Sequence, residues 1–155
     1  MNTKTEIALS HFCEDFDQFL VRCHELEKSG KWSVSTYGLM SAYFESDLFA
    51  VLLQLMSADG VFERAEADVI NQMFSTSYSV RELSKLYRSL APVVDDYCDE
   101  EAADAMALLT KIDPQLRDDY RRLMLEACNI ISMSDGVAEG EERALIEKLA
   151  AVLEG

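Results

Sequence analysis

Ser57-Ala58-Asp59-Gly60-Val61-Phe62-Glu63-Arg64-Ala65-Glu66 returns in the second half of the chain as Met133-Ser134-Asp135-Gly136-Val137-Ala138-Glu139-Gly140-Glu141-Glu142. Each copy follows an apolar run and precedes an amphipathic one, which reads as helix, tight acidic turn, helix. Two related helical hairpins, each with carboxylates gathered at its bend, are therefore the expected heart of the fold.

Working outward from the first copy, the apolar block Leu48 to Met56, interrupted by Gln54, ends a helix facing inward through Met40, Phe44, Leu48, Val51, Leu52 and Leu55. Ser35 or Thr36 is its expected cap. Ala65, Val69, Ile70, Met73 and Phe74 outline a short helix beyond the turn, closed by Ser75-Thr76-Ser77. Ser79 caps the next, whose stripe is Val80, Leu83, Leu86, Tyr87 and Leu90 and which Pro92 is expected to break. Upstream, Phe12, Phe16, Phe19, Cys23 and Leu26 recur at three- and four-residue steps, predicting a first helix from Thr5 to Lys28.

Around the second copy, the acidic segment 95–101 leads into a helix ending near Ile112. Asp113-Pro114, a cap followed by proline at the first helical position, starts another built on Leu116, Tyr120, Leu123, Met124, Ala127, Cys128 and Ile131. Leu145, Ile146, Leu149, Val152 and Leu153 form the last. No segment has the alternation of a strand. The expectation is an all-α, compact bundle of about seven helices containing two pseudo-symmetric helical hairpins.

The chain has 155 residues, 49% of them apolar, with only 2 prolines, 6 glycines and no linker-like stretch, so a single domain over 1–155 is expected. Lys and Arg total 14 against 29 Asp and Glu, a net charge of −15. That field repels phosphate backbones and anionic lipid surfaces and attracts metal ions or basic protein surfaces. Neither nucleic acid nor a membrane is expected as a partner; the longest apolar block is far short of the roughly 20 residues a span needs. No sustained apolar segment follows Met1-Asn2-Thr3-Lys4, so no secretory signal is read there. Cys13, Cys23, Cys98 and Cys128 form no C-x-x-C pair, and Cys23 and Cys128 fall on apolar stripes as small buried hydrophobes. Cytoplasmic residence is the resulting expectation.

The two turns admit two readings. Asp-Gly after an apolar helix is a stop signal, and Glu63 and Glu139, followed three residues later by Glu66 and Glu142, sit where carboxylates cap the next helix and complement its dipole. That reading is purely structural. The functional reading has Asp59, Glu63 and Glu66 converging on one turn and Asp135, Glu139 and Glu142 on the other, as oxygen-only ligands for a divalent ion, calcium or magnesium rather than zinc. The spacing differs from the twelve-residue EF-hand loop, whose oxygen ligands alternate ahead of its glycine, so the site would be weak or shared between the turns.

Catalytic machinery is not legible. His11 and His24 fall in no metal-binding pair, and no Walker loop, nucleophile elbow or dinucleotide glycine fingerprint occurs, so a non-enzymatic protein without catalytic residues is expected. Tyr87 and Tyr120 read as packing. Trp32, in the Gly30-Lys31-Trp32-Ser33 connection, either plugs the bundle end or awaits a protein partner. Arg117, Arg121 and Arg122 read as a solvated face paired with Asp118 and Asp119.

The helix ending in Ala58-Asp59-Gly60, the glutamate seven residues after that aspartate, and the second copy with Ser134-Asp135-Gly136 and Glu142 resemble the TerB-like domain of tellurite-resistance proteins, which is similar to the amino-terminal domain of some membrane-tethered J-domain co-chaperones. The resemblance runs from about Tyr37 to the carboxyl end. It implies a compact helical core over 35–155, with repeats around 48–74 and 124–153, and a helical extension over 1–34. It also implies a non-enzymatic role in bacterial stress response or defence, with Asp59, Glu66, Asp135 and Glu142 as the positions suspected of holding metal. Gly140 departs from the stiffer residue the family often has there, and the long first helix, beyond the match, offers a private partner surface. Two functions stay open: a metal-responsive binding module acting on a protein partner, or a metal-free acidic interaction or immunity-type protein masking a basic one.

Overall fold

Helix follows helix throughout the described part of the computed structural model, which comprises residues 3–58, 62–94, 101–134 and 140–154, with backbone alone for 91–94, 101 and 140–142. The elements are α1 (Thr3–Lys28), α2 (Val34–Tyr37), α3 (Met40–Ser57), α4 (Arg64–Phe74), α5 (Val80–Val94), α6 (Glu101–Ile112), α7 (Pro114–Ser134) and α8 (Gly140–Glu154). No strand occurs among the described residues. The fold is the all-α bundle that the periodicity requires, with α2 as one added turn.

Local chemistry accounts for the boundaries. Ser79 and Glu82 close a reciprocal capping box on α5: the Glu82 N–H donates to Ser79 Oγ and the Ser79 N–H to Glu82 Oε1, both at 3.1 Å. Asp113 Oδ1 accepts the Gln115 N–H at 3.1 Å, capping α7 with Pro114 at its first position. Two boundaries differ from expectation. The second helix is split at Gly38, whose φ of 78° and ψ of −166° only glycine adopts freely, so α2 and α3 are separate although the apolar pattern runs on between them. Pro92 does not end α5, which continues to Val94; a proline in the last turn deletes one hydrogen bond at a helix end that is already running out of partners.

Packing follows from the repeat. The first helices of the two hairpins, α3 and α7, lie against each other; α4 packs on α7, while α8 packs on α6 and on its own partner α7 and also reaches α3. The second helix of each hairpin thus touches the first helix of the other, which is why an internal duplication folds as one unit.

α1 closes this core. Set apart as an extension when the sequence is read alone, it contributes Leu9, Phe12, Phe16, Phe19, Cys23 and Leu26 to the same buried cluster as α3, α4 and α7. Phe19 stacks on Tyr120 with ring centroids 5.3 Å apart, Tyr120 meets Phe44 edge-on at 5.0 Å, and Phe19 meets Phe44 at 6.0 Å, so one aromatic triad pins three helices together. The Tyr120 hydroxyl, fully buried, donates to the Phe44 carbonyl at 3.3 Å. At the rim, the Arg22 guanidinium bridges Asp113 at 3.3 Å and Glu25 at 2.9 Å, tying α1 to the start of α7.

The window Val34–Ser57 has the length and apolar composition of a membrane-crossing helix. Within it, Met40, Phe44, Leu48, Val51, Leu52, Leu53, Leu55 and Met56 are buried inside the bundle. Removing the triad's centre tests this packing. Phe44→Ala is expected to cost about 3–5 kcal/mol in chemical denaturation, against within about 0.5 kcal/mol for Val21→Ala on the exposed face of α1.

Candidate functional site

Between α3 and α4 lies the first acidic turn, of which the exit from Phe62 onward is described. Glu63, in extended backbone, is the N-cap of α4, and Glu66 is the third residue of the helix. The Glu63 N–H donates to Glu66 Oε1 at 2.9 Å, half of a capping box between the two. Glu63 is exposed, whereas Glu66 is completely buried. A carboxylate withdrawn from water is costly unless hydrogen bonds and the positive end of a helix compensate it, and the first turn of α4 offers both. Phe62 just ahead of the cap packs on Tyr87 of α5 at 5.7 Å, fixing the direction in which the chain leaves the turn.

Of the six residues predicted to hold metal, these two are placed, and they are brought together. Asp59, Asp135 and Glu139 lie outside the described residues, and of Glu142 only its backbone in α8 is described. Among the described residues, no group of three or more His, Cys, Asp or Glu side chains is disposed to hold a metal ion. Glu66 directs at least one oxygen to the backbone, which realises the structural reading of this half of the pattern.

Trp32 is at the opposite end of α3, only 3% exposed. Its indole N–H donates to the Gly38 carbonyl at 2.8 Å, and its ring lies 5.0–5.6 Å from those of Tyr37, Tyr43 and Phe44. It is the plug of the bundle end. Any partner meeting this end touches Val34, Tyr37 and Leu39, which are exposed around it.

Three surface concavities are lined by described residues. One of about 280 Å³ between α1 and the start of α7 is lined by Arg22, Asp113, Asp119 and Arg122, whose charges are already paired. A second of about 280 Å³ has His11, Asp15, Glu126 and Asn129 on its walls; burial, with Asp15 nearby, pushes the Glu126 carboxyl above its ordinary value, and Arg122 and His11 hold it back. The third, about 410 Å³, is a groove among α3, α4 and α5 lined by Phe49, Phe74, Tyr78, Leu86 and Leu90, with Glu45 on its rim.

That groove is held open by Asn71, a residue the sequence reading passed over. Asn71 Oδ1 accepts from the Tyr78 N–H at 2.8 Å and the Thr76 hydroxyl at 2.9 Å, and its Nδ2 donates to the Tyr78 carbonyl at 2.8 Å. These bonds clamp the α4–α5 connection, in which Ser75 adopts a left-handed φ of 56°. Glu45 was also missed: its signal is a carboxylate on a helix apolar nearly all round.

Among the described cysteines, Cys13, Cys23 and Cys128, none is in a disulfide. Cys23 and Cys128 are buried thiols, and desolvation, with Glu27 adding to it, pushes Cys23 up to about 12.

A family model described as tellurite resistance protein TerB matches residues 45–154. No curated protein and no solved structure matches the chain. The matched span covers both acidic turns and omits α1, α2 and the start of α3.

Two outcomes follow from these geometries. Glu66→Ala, which removes the cap partner and leaves a buried space, should destabilise the fold by about 2 kcal/mol or more, and Glu63→Ala by about 1 kcal/mol or less, in urea melts. Burial raises the Glu45 carboxyl above its ordinary value, so its contribution to stability is full below the unfolded-state pKa and is lost as pH rises through the folded one. Glu45→Gln should therefore melt higher than the wild type at pH 7, with the difference closing as the pH falls below about 4.

Proposed function

This chain belongs to the TerB family of tellurite resistance proteins, and from that premise we propose that it is a non-enzymatic stress-response or defence module that binds a divalent cation at its two acidic turns and acts on a protein partner. The observation that carries the proposal is the burial of Glu66 at the exit of the first turn. Its Oε1 is held by the Glu63 N–H before any ion arrives, and Asp59 lies seven residues upstream in the sequence. A ligand that is already ordered lowers the cost of binding.

The reciprocal packing gives such a site a route to the rest of the molecule. Each turn leads into a helix that touches the first helix of the other hairpin, so a cation that draws carboxylates together at Asp59 and Glu63, or at Asp135, Glu139 and Glu142, biases how α4 sits on α7 and how α8 sits on α6, α7 and α3. A hard ion with oxygen preference, calcium or magnesium, suits this donor set. Function through contact rather than turnover agrees with the absence of catalytic motifs in the sequence.

The metal-free reading, an acidic protein masking a basic partner, is favoured by the share of Glu66 that the helix cap already uses. The two separate in a thermal melt with and without ion. At a calcium or magnesium concentration one hundred times the dissociation constant, linkage adds about 2.7 kcal/mol, or roughly 5–10 °C in Tm for a chain of this size. The cation module predicts that shift, and its loss in the Asp59→Asn, Asp135→Asn double variant. An unmoved Tm at millimolar ion, with the fold intact, leaves the masking role instead, whose partner binding weakens as salt is raised.

A further inference from the structure

We propose that the groove among α3, α4 and α5 is a docking site for an amphipathic helix of a partner protein, which lays apolar side chains on Phe49, Phe74, Leu86 and Leu90 and sets a lysine or arginine against Glu45. This deepens the protein-partner half of the function proposed above and is independent of its cation half.

The groove is made, not left over. Phe49 and Phe74 meet edge-on with centroids 5.2 Å apart, and Tyr78 lies 6.1 Å from Phe49, so the floor is a fixed aromatic surface. Asn71 holds the wall formed by Thr76 and Tyr78 through three side-chain hydrogen bonds. Leu86 and Leu90, one helical turn apart on α5, form the other wall, and Leu90 is 38% exposed. A trough of about 410 Å³ bounded by helices accepts the apolar face of another helix, read as anchors at i, i+3 or i+4 and i+7.

Charge selects the occupant. Glu45 makes no hydrogen bond or ion pair among the described residues, and it stands on the apolar rim where water is partly excluded. A carboxylate in that setting gains most from an opposing cation delivered by whatever fills the trough. The net charge of −15 adds long-range attraction for a basic segment and repels an acidic one. An acidic or purely apolar helix meets one of these two penalties.

The test is selection from a displayed library of helix-patterned peptides against the immobilised full chain in EDTA, with binders counter-selected on Leu90→Glu. Leu90 is exposed, so that variant keeps its fold, which circular dichroism confirms. The expected result is a set of peptides with apolar anchors one turn apart and a Lys or Arg within a turn of them. These should bind the wild type at least ten-fold tighter than Leu90→Glu by fluorescence anisotropy, and Glu45→Lys should reverse the charge preference. A library that yields no binder, binders indifferent to Leu90→Glu, or binders without basic enrichment would overturn the proposal. Because EDTA removes divalent ions, failure here leaves the cation reading untouched, and success does not depend on it.

Discussion

The constraint on which the structure depends is that neither α3 nor α7 is covered by the helix that follows it across its own acidic turn alone. α3 is apolar around most of its circumference, and α4 and α8 are short amphipathic helices with one face each. α4 packs on α7, α8 reaches α3 as well as α6 and α7, and α5 and α6 cover much of the rest, so the two halves fold together. The remaining open side of the α3–α7 pair is closed by α1, through the stack of Phe19 on Tyr120 and the edge contact of both with Phe44.

That closure explains an apparent mismatch. The family match begins at residue 45, yet the helix outside it buries Leu9, Phe12, Phe16, Phe19, Cys23 and Leu26 in the same core. A core made of two duplicated hairpins leaves one face of its central pair uncovered. What covers it need not share the signature of the repeats, only a stripe of large apolar side chains at helical spacing, and Phe12, Phe16 and Phe19 provide that.

Much of the fold was legible in the sequence for local reasons. Ser79 and Asp113 announce α5 and α7 because capping chemistry is written in adjacent residues, and the aromatic stripe of α1 reads directly as a buried face. The break at Gly38 was not legible, since the apolar periodicity of α3 continues across it and one glycine in a turn has many meanings. Glu63 and Glu66 were legible as a pair, but whether a carboxylate at the third position caps its helix or reaches outward is decided by packing, and in Glu66 the buried cap is realised. Asn71 and the groove it holds were hidden, because their significance lies in which elements come together and not in any spacing along the chain.

The central claim is that α1, α3 and α7 form one cooperative unit. Native-state hydrogen exchange in rising denaturant measures this directly. The account predicts that the amides of Phe19, Phe44 and Tyr120 converge on a single opening free energy equal to that of global unfolding. Exchange of the α1 amides through a separate, lower-energy opening, while α3 and α7 stay protected, would contradict it.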